Sequence, residues 1–245
     1  MDLPSNIKID HYLTAAECGP QQEITLSTFT QRVIDAATAH ANILGVGYNR
    51  LMEHNSAWVL SRLSIEMKRF PSVAENYSFT TWVESVNRHF SERNMKICDE
   101  SGAPIGYVRT IWVAIDITTR RPADLTPFIG NLKADTIECP IEKTPRLRPI
   151  VDKSFNIEHT FRYSDTDFNR HVNTTRYIES ILNRWNIEFF DKYRISRFDI
   201  NYIAEARCDE KVDISYFDVD DNIVDVEITR EDTCCTRARI TFAER

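Results

Sequence analysis

The stretch SDTDFNRHVNTTRY, residues 164–177, places acidic, amide and imidazole side chains at alternate positions before it turns apolar. In an extended segment alternate residues share one face, so we expect Asp167, Asn169 and His171 to point together. The apolar spacing after Val172 predicts a helix, whose first turn offers unpaired N–H groups and the positive end of the helix dipole. Carboxylate, amide, imidazole and N–H donors in one place are able to hold a water molecule and polarise a carbonyl group.

Two other interpretations fit part of the same stretch. Calcium binding is suggested by D-x-D-x-N from Asp165, but an EF-hand loop requires glycine at its sixth position and glutamate at its twelfth. Arginine occupies both positions here, as Arg170 and Arg176, so no metal is expected. Helix capping by Asn173 is expected alongside the chemistry, because asparagine is a favoured residue immediately before a helix. Asp165 is left without a predicted role.

Composition excludes several classes of function. The 245 residues are enough for one large domain or two small ones, and the formal net charge of −7 argues against nucleic acid as the main partner. The six glycines form no phosphate-binding loop, and the six cysteines form no C-x-x-C pair of the kind that binds zinc. We expect a cytoplasmic protein with reduced thiols, without a secretory signal or a membrane span.

An internal repeat predicts the elements that position these groups. LSRLSIEM (residues 60–67) and ISRFDINY (residues 195–202) share Ser, Arg and Ile in one register, offset by 135 residues, 195 minus 60. A helical pattern precedes each copy, from Gln31 and from Val172, and alternating apolar residues after each copy predict antiparallel strands. This order, found twice, predicts an α+β fold of two tandem hotdog domains, each a long central helix wrapped by a curved antiparallel β-sheet.

Proline placement predicts where the two domains meet. Five of the nine prolines lie between residues 122 and 149, where each one blocks helix and central strand alike. We therefore expect an N-terminal domain over residues 1–130, a linker over residues 131–152 and a C-terminal domain over residues 153–245. The motif that begins at Asp165 falls in the last of these.

The pattern D-x-N-x-H-V-N, residues 167–173, followed by Y-x-x-E at residues 202–205, resembles the motifs of the acyl-acyl carrier protein thioesterases. WVLSRLSIEMKRFP (residues 58–71), TW (81–82) and WVAIDITTRRP (112–122) fit the same family, whose members are double hotdogs in plants and bacteria. The resemblance covers the chain from about residue 5 to its C-terminus. It implies hydrolysis of the thioester that joins a fatty acyl chain to the phosphopantetheine arm of acyl carrier protein, with no cofactor. The matching catalytic positions are Asp167, Asn169, His171 and Glu205.

One departure from the family bears on the mechanism. The position after the glutamate, often cysteine in plant enzymes, is Ala206 here, which favours a water-based reaction over a cysteine nucleophile. We expect Glu205, helped by Asp167, to activate a water molecule, because two nearby carboxylates disfavour each other's ionisation. Asn169 and His171 would orient the water and the thioester, and N–H groups near residues 173–176 would bind the developing oxyanion.

The repeat also predicts which half binds the acyl chain. The 135-residue offset places Phe70 opposite Glu205 and, if it holds through the start of the helix, Ala36 opposite His171. The first half would then have lost its polar groups, so we expect one catalytic site per chain and acyl-chain binding in the degenerate first half. The candidate substrate-binding residues are Trp58, Trp82, Phe70 and Asn173.

A cationic patch is expected because acyl carrier protein is acidic. The candidates for carrier docking are Arg120, Arg121, Lys143, Arg146 and Arg148. Three alternatives stay open: hydrolysis of acyl-CoA by another hotdog enzyme, dehydration of a 3-hydroxyacyl chain, and non-catalytic binding of acyl thioesters by a sensor. The acid–base residues count against the sensor. Association into a homodimer is compatible with two fused domains.

Overall fold

The computed structural model describes residues 3–245. The first half contains β1 (Asn6–Tyr12), α1 (Leu26–Ile43), α2 (Tyr48–Met52), β2 (Ser56–Met67), β3 (Asn76–Val86), β4 (Phe90–Asp99) and β5 (Pro104–Asp116). The second half contains β6 (Phe155–Thr160), α3 (Thr174–Leu182), α4 (Ile187–Lys192), β7 (Tyr193–Tyr202), β8 (Lys211–Asp220), β9 (Ile223–Arg230) and β10 (Thr233–Glu244). Short 3-10 helices occupy Ala15–Glu17, Ile129–Asn131 and Tyr163–Asp165.

The ten strands of residues 3–245 form one sheet in the order β1-β3-β4-β5-β2-β7-β10-β9-β8-β6, and every neighbouring pair is antiparallel. The halves join at its centre, where β2 pairs with β7 and Ser64 lies opposite Asp199. These two residues are repeat counterparts, 135 positions apart, and the Ser64 hydroxyl donates to the Asp199 carboxylate at 2.5 Å. An approximate two-fold axis therefore passes through this pair, and the fold is the predicted tandem of two hotdog domains.

The central helices begin at capping residues that the sequence supplies. Thr25 caps α1 by accepting a hydrogen bond from the Thr28 N–H, and Asn173 caps α3 by accepting one from the Thr175 N–H. The predicted cap at Asn173 is confirmed. The first helix starts five residues before the apolar pattern at Gln31, and α3 starts two residues after Val172.

The sheet curves around α1, whose inward face is apolar. The Phe29 ring of this helix lies 5.5 Å from Phe70 and 5.3 Å from Phe79, measured between ring centroids. This contact belongs to a large apolar cluster that continues into the second half, whereas a smaller cluster around Leu44 and Val83 lies at the other end of α1. Burial of these side chains supplies the main driving force for folding.

The connection between the halves crosses the outer face of the sheet. No helix or strand lies between Asn131 and Phe155 in the part of the chain that the structure describes. The Leu147 N–H donates to the Asn201 side chain at 3.0 Å, and that side chain donates to the Pro145 carbonyl at 3.1 Å. Ile200, next to Asn201, faces the core, so this contact lies on the opposite face. Within residues 3–245, no helix is both long and apolar enough to cross a membrane.

Candidate active site

The segment between β6 and α3 folds as a tight loop. The Asp167 N–H donates to the His171 carbonyl at 2.7 Å, and the Arg170 N–H donates to the Asp167 carbonyl at 3.0 Å. Arg170 has a φ of 64°, in the left-handed region that non-glycine residues seldom adopt. The prediction of an extended segment is therefore wrong, since a turn and not strand alternation brings Asp167, Asn169 and His171 together.

The Asp167 carboxylate lies inside this loop. One oxygen accepts hydrogen bonds from the N–H groups of Asn169 at 2.8 Å and His171 at 3.1 Å. The other lies 3.4 Å from the side-chain nitrogen of Asn169. Both oxygens therefore have partners within the loop, and Asp167 fixes the backbone from which Asn169 and His171 project.

His171 and Glu205 meet although 34 residues separate them. The imidazole Nε2 of His171 lies 3.4 Å from Oε2 of Glu205. The Val172 N–H donates to the Ala206 carbonyl at 2.8 Å, which ties the two segments together beside the pair. The buried Ala206 N–H donates to the Tyr177 hydroxyl, also at 2.8 Å. Burial raises the pKa of Tyr177, so this phenol stays neutral.

Arg120 completes the contacts of Glu205 from the first half of the chain. Its Nη2 contacts Oε2, the same carboxylate oxygen that His171 approaches. The two side chains are 45% and 39% exposed, so the ion pair lies at the surface of the molecule. Local spacing carries no signal for a contact between residues 85 positions apart, 205 minus 120, and the sequence suggested only carrier docking for Arg120.

The four N–H groups at the start of α3 are not equally available. Asn173 donates to the Asp165 carbonyl at 2.7 Å, and Arg176 donates to the Asn173 carbonyl at 2.9 Å. Thr175 donates to the Asn173 side chain at 3.0 Å. Within residues 3–245, only the Thr174 N–H of this group has no hydrogen-bond partner. The predicted set of oxyanion donors at residues 173–176 thus narrows to one N–H group.

Asp165, which had no predicted role, holds the start of the loop. Its carboxylate accepts a hydrogen bond from the Arg162 N–H at 2.7 Å and so caps the 3-10 turn Tyr163–Asp165, of which Asp165 is the last residue. Its carbonyl accepts the N–H of Asn173 at 2.7 Å, which links that turn to the first residue before α3. The acidic spacing that suggests a calcium loop therefore has a structural explanation in hydrogen bonding.

The equivalent position in the first half corrects one expectation from the repeat. The capping residues Thr25 and Asn173 are separated by 148 positions, 173 minus 25, so the 135-residue offset does not hold through the start of the helix. Glu23, and not Ala36, is the counterpart of His171. The two are equivalent because Glu23 forms an isolated antiparallel β-bridge with Ser72, and His171 forms the corresponding β-bridge with Arg207.

The first half therefore has not lost all of its polar groups. Glu23 binds Arg245 through two hydrogen bonds of 2.8 and 2.9 Å. Phe70, opposite Glu205, is buried against Phe29 and offers no acid–base group. A second copy of the site is absent from the described residues because its carboxylate position is apolar and its Glu23 is already paired.

The proposed acyl-binding residues lie in different places. Trp58 packs against the smaller apolar cluster and donates its indole N–H to the Val46 carbonyl at 2.8 Å. Phe70 lies in the larger cluster. Trp82 alternates on β3 with the inward-facing Phe79 and Val83, so it lies on the outer face of the sheet and belongs to neither apolar cluster. Its part in substrate binding stays a prediction.

Asn173, the fourth substrate-binding candidate, borders an open cleft. The cleft has a volume of about 360 Å³ and lies between the first turns of α1 and α3. Gln31 lines it from α1, and Arg176 and Glu179 line it from α3. The cleft opens next to the loop that carries the candidate catalytic residues, and its lining is polar.

A buried polar layer separates the two apolar clusters of the first half. Arg93 is 4% exposed, and one of its nitrogens lies 2.7 Å from Nδ1 of His40. Nε2 of His40 faces the Pro4 carbonyl at 3.1 Å. Burial, and then the neighbouring Arg93 charge, lowers the pKa of His40 to about 4. His40 is therefore neutral at pH 7, which allows it to accept a hydrogen bond from the buried guanidinium.

The carrier-docking candidates fall on two surfaces. Arg120 contacts Glu205 at the candidate site, and the exposed Arg121 follows it in the same turn. Lys143 lies 3.5 Å from Glu92. The remaining two, Arg146 and Arg148, are exposed on the segment that crosses the outer face of the sheet. A single docking surface formed by all five residues does not follow from this arrangement.

Cysteine chemistry has little support at this site. Ala206, beside Glu205, is fully buried. Cys208 donates to the Asp209 carboxylate at 3.5 Å, and its pKa is raised, first by desolvation and then by that carboxylate. A thiol with a raised pKa forms less of the reactive thiolate.

Two family models match the chain. The acyl-ACP thioesterase N-terminal domain matches residues 6–131, and the acyl-ACP thioesterase C-terminal domain matches residues 150–244. A crystal structure of an acyl-ACP thioesterase from Bacteroides thetaiotaomicron is 33% identical and superimposes with a TM-score of 0.90 over 98% of each chain. The 12:0-ACP thioesterase from Umbellularia californica shares the fold at 18% identity, with a TM-score of 0.86 over 99% of this chain and 98% of that one.

Plant proteins are also similar in sequence. The chloroplastic dodecanoyl-[acyl-carrier-protein] hydrolase of Cinnamomum camphora is 24% identical over 207 residues, which make up 79% of this chain and 54% of that protein. A chloroplastic palmitoyl-acyl carrier protein thioesterase of Gossypium hirsutum is 24% identical over 210 residues, or 78% of this chain and 49% of that protein. The chain spans about half the length of the curated relatives it matches.

Proposed function

Because the chain belongs to the acyl-ACP thioesterase family, we propose that it hydrolyses the thioester of fatty acyl-acyl carrier protein and releases a free fatty acid in fatty acid biosynthesis. The observation that carries this proposal is the contact of Glu205 with His171. The pair lies beside the start of α3, where the Thr174 N–H has no hydrogen-bond partner within residues 3–245. A base, an imidazole and an oxyanion donor are the groups that thioester hydrolysis by water requires.

In the proposed mechanism, Glu205 removes a proton from a water molecule as the water oxygen attacks the thioester carbonyl carbon. The carbonyl becomes a tetrahedral oxyanion, which the Thr174 N–H stabilises. Collapse of this intermediate breaks the carbon–sulfur bond. The phosphopantetheine thiolate leaves and takes up the proton from Glu205, so that the products are the free acid and the thiol.

Glu205 is favoured over Asp167 as the base because of how their oxygens are used. Both Asp167 oxygens accept hydrogen bonds inside the loop, whereas the Glu205 carboxylate accepts no hydrogen bond from residues 3–245 and approaches only Arg120 and His171 as charged partners there. Asp167 then acts indirectly, by fixing the loop that presents Asn169 and His171. These two residues orient the water and the thioester.

The acyl chain is proposed to lie in the first half, along the apolar cluster next to Trp58. Two contacts between this part of the first half and the second half support it as the side from which the acyl chain enters. The Tyr48 ring in α2 lies 5.9 Å from Phe168 in the catalytic loop, and Arg120 reaches Glu205. The proposed partner is acyl carrier protein, the proposed location is the cytoplasm, and a homodimer is a compatible assembly.

The test is release of free fatty acid from a panel of acyl-carrier-protein and acyl-CoA substrates of several chain lengths. We expect turnover of the carrier-protein substrates, with a higher kcat/KM than for the matching acyl-CoA. Preference for acyl-CoA would replace the proposed carrier. Tight binding of acyl thioesters without turnover would make the protein a sensor and overturn the proposed reaction.

A further inference from the structure

Arg120 is the one residue of the first half that contacts Glu205 in the described part of the chain. It lies in the turn after β5, where its N–H donates to the Asp116 carbonyl at 2.9 Å. Its φ is 59°, a left-handed conformation that is unfavourable for residues other than glycine, asparagine and aspartate. Such a conformation persists only where the surrounding structure enforces it. The turn therefore fixes the backbone from which the Arg120 side chain extends.

Side chains around Asp116 keep the turn in place. The Asp116 carboxylate accepts hydrogen bonds from the Thr119 N–H at 2.6 Å and from the Asn55 side chain at 2.9 Å. These bonds, led by the one from Thr119, lower the pKa of Asp116, so the carboxylate stays ionised and available as an acceptor. Asn55 also donates to the Thr118 hydroxyl at 3.0 Å. The turn that carries Arg120 is thus held in place by side-chain hydrogen bonds.

The closest charged contacts of the Glu205 carboxylate converge on Oε2. Arg120 and His171 both approach this oxygen, one from each half of the chain. The Glu205 backbone is also held, because its carbonyl accepts a hydrogen bond from Arg230 at 3.2 Å and the next N–H donates to Tyr177. The close approach of a guanidinium and an imidazole, together with this held backbone, restrains the Glu205 side chain, which is 39% exposed.

Stability alone does not explain this ion pair. Pairs between half-exposed charged side chains contribute little to the free energy of folding, because water and salt screen them. Orientation of a reacting group, in contrast, has a large effect on rate, since a small misplacement is costly in an aligned reaction. The contact of Arg120 with Glu205 is therefore better explained by orientation of the carboxylate than by stabilisation of the fold.

We propose that Arg120 is a positioning residue for thioester hydrolysis: its ion pair with Glu205 holds the carboxylate beside His171, in the position from which it accepts a proton from the attacking water. This inference rests on the proposed function. It gives the first half a part in the chemistry, besides any part in binding the acyl chain. It also separates Arg120 from the other cationic residues that the sequence suggested for carrier docking.

The experiment compares Arg120→Met and Arg120→Lys with the wild-type protein on two substrates. One is an acyl-carrier-protein thioester, and the other is the same acyl group on N-acetylcysteamine, which has no carrier to dock. We expect Arg120→Met to lower kcat roughly tenfold or more on both substrates, with KM within about twofold. Arg120→Lys should recover part of kcat, because an ammonium group keeps the charge but has only one nitrogen with which to reach the carboxylate.

Two matched variants separate positioning from other effects of losing an arginine. Arg88→Met removes an exposed ion pair to Asp124 on the same half, and it should leave kcat unchanged on both substrates. Arg121→Met reports carrier docking, through KM for the carrier-protein substrate. Circular dichroism at the assay temperature checks that each variant is folded.

The outcomes are distinguishable. If Arg120→Met raises KM for the carrier-protein substrate alone, Arg120 docks the carrier and the positioning role is overturned. Wild-type kcat in Arg120→Met on both substrates overturns it as well. A wild-type protein that hydrolyses neither substrate overturns both the proposed function and this inference. If the wild type is active, the proposed function stands whatever the result for Arg120→Met.

Discussion

Removal of the Tyr177 hydroxyl tests the link between the core of the second half and Glu205. In the folded protein this hydroxyl accepts the Ala206 N–H at 2.8 Å, and Ala206 is fully buried. In Tyr177→Phe the N–H would have no acceptor and no access to water. A buried donor left unsatisfied costs about 1–3 kcal/mol, so the free energy of unfolding should fall by that amount. For a chain of this size Tm should fall by roughly 2–4 °C per kcal/mol.

The same substitution should also affect turnover, because Ala206 follows Glu205 directly. Loss of its anchor allows the glutamate to shift relative to His171, and we expect kcat to fall roughly tenfold with little change in KM. Urea unfolding followed by circular dichroism measures the stability, and steady-state release of fatty acid measures kcat.

Tyr216→Phe is the matched control for Tyr177→Phe. The Tyr216 phenol is equally buried, but it donates to the Ile181 carbonyl at 2.9 Å, in the last turn of α3. The Tyr216→Phe variant should be less stable than the wild type and should keep the wild-type kcat. The reasoning is refuted if Tyr177→Phe is as stable as the wild type, or if the two variants lose the same fraction of kcat.

Three further predictions concern the loop, the cap and the buried polar layer. Asp167→Ala should lower kcat by at least about tenfold without unfolding the protein, since the loop that presents His171 loses its two acceptors; steady-state kinetics with a circular dichroism control measures this. Asn173→Ala should lower the free energy of unfolding by about 1 kcal/mol, measured by urea titration, because α3 loses its cap. The folded pKa of His40, about 4, lies below its ordinary value of 6.5, so its contribution to stability is complete above pH 6.5 and is lost as the pH falls toward 4. This contribution is on the order of 3 kcal/mol, so the wild-type Tm should fall more steeply than that of His40→Gln over this range, and parallel curves would contradict the assignment.

Local sequence patterns predict much of this fold because they act over short distances. Alternating apolar residues at Val212, Ile214 and Tyr216 mark β8. The sequence DESGAP at residues 99–104 is typical of a turn, and β4 ends and β5 begins there. Asn173 is a helix cap by its residue type and position. The repeat predicts two similar halves, and pairing of Ser64 with Asp199 follows from their relation by two-fold symmetry.

Features of the site that depend on loop conformation are harder to predict. The turn at Asp167 requires a left-handed residue at Arg170, and arginine gives no signal for that conformation. The wrong counterpart, Ala36, arises because the first half is 13 residues longer between its helix start and β2, 148 minus 135. The contact between Arg120 and Glu205 joins two turns from different halves, so only the folded structure reveals it.

The central claim, that Glu205 activates water for thioester hydrolysis, is tested most directly by kcat for fatty acid release by Glu205→Gln. General-base assistance contributes about 10² to 10⁴ in rate, so we predict that kcat falls by at least about a hundredfold. The urea midpoint should stay close to that of the wild type, because the lost ion pair is half exposed. Turnover within about threefold of the wild type, in a folded Glu205→Gln protein, would contradict the claim and remove Glu205 from the mechanism.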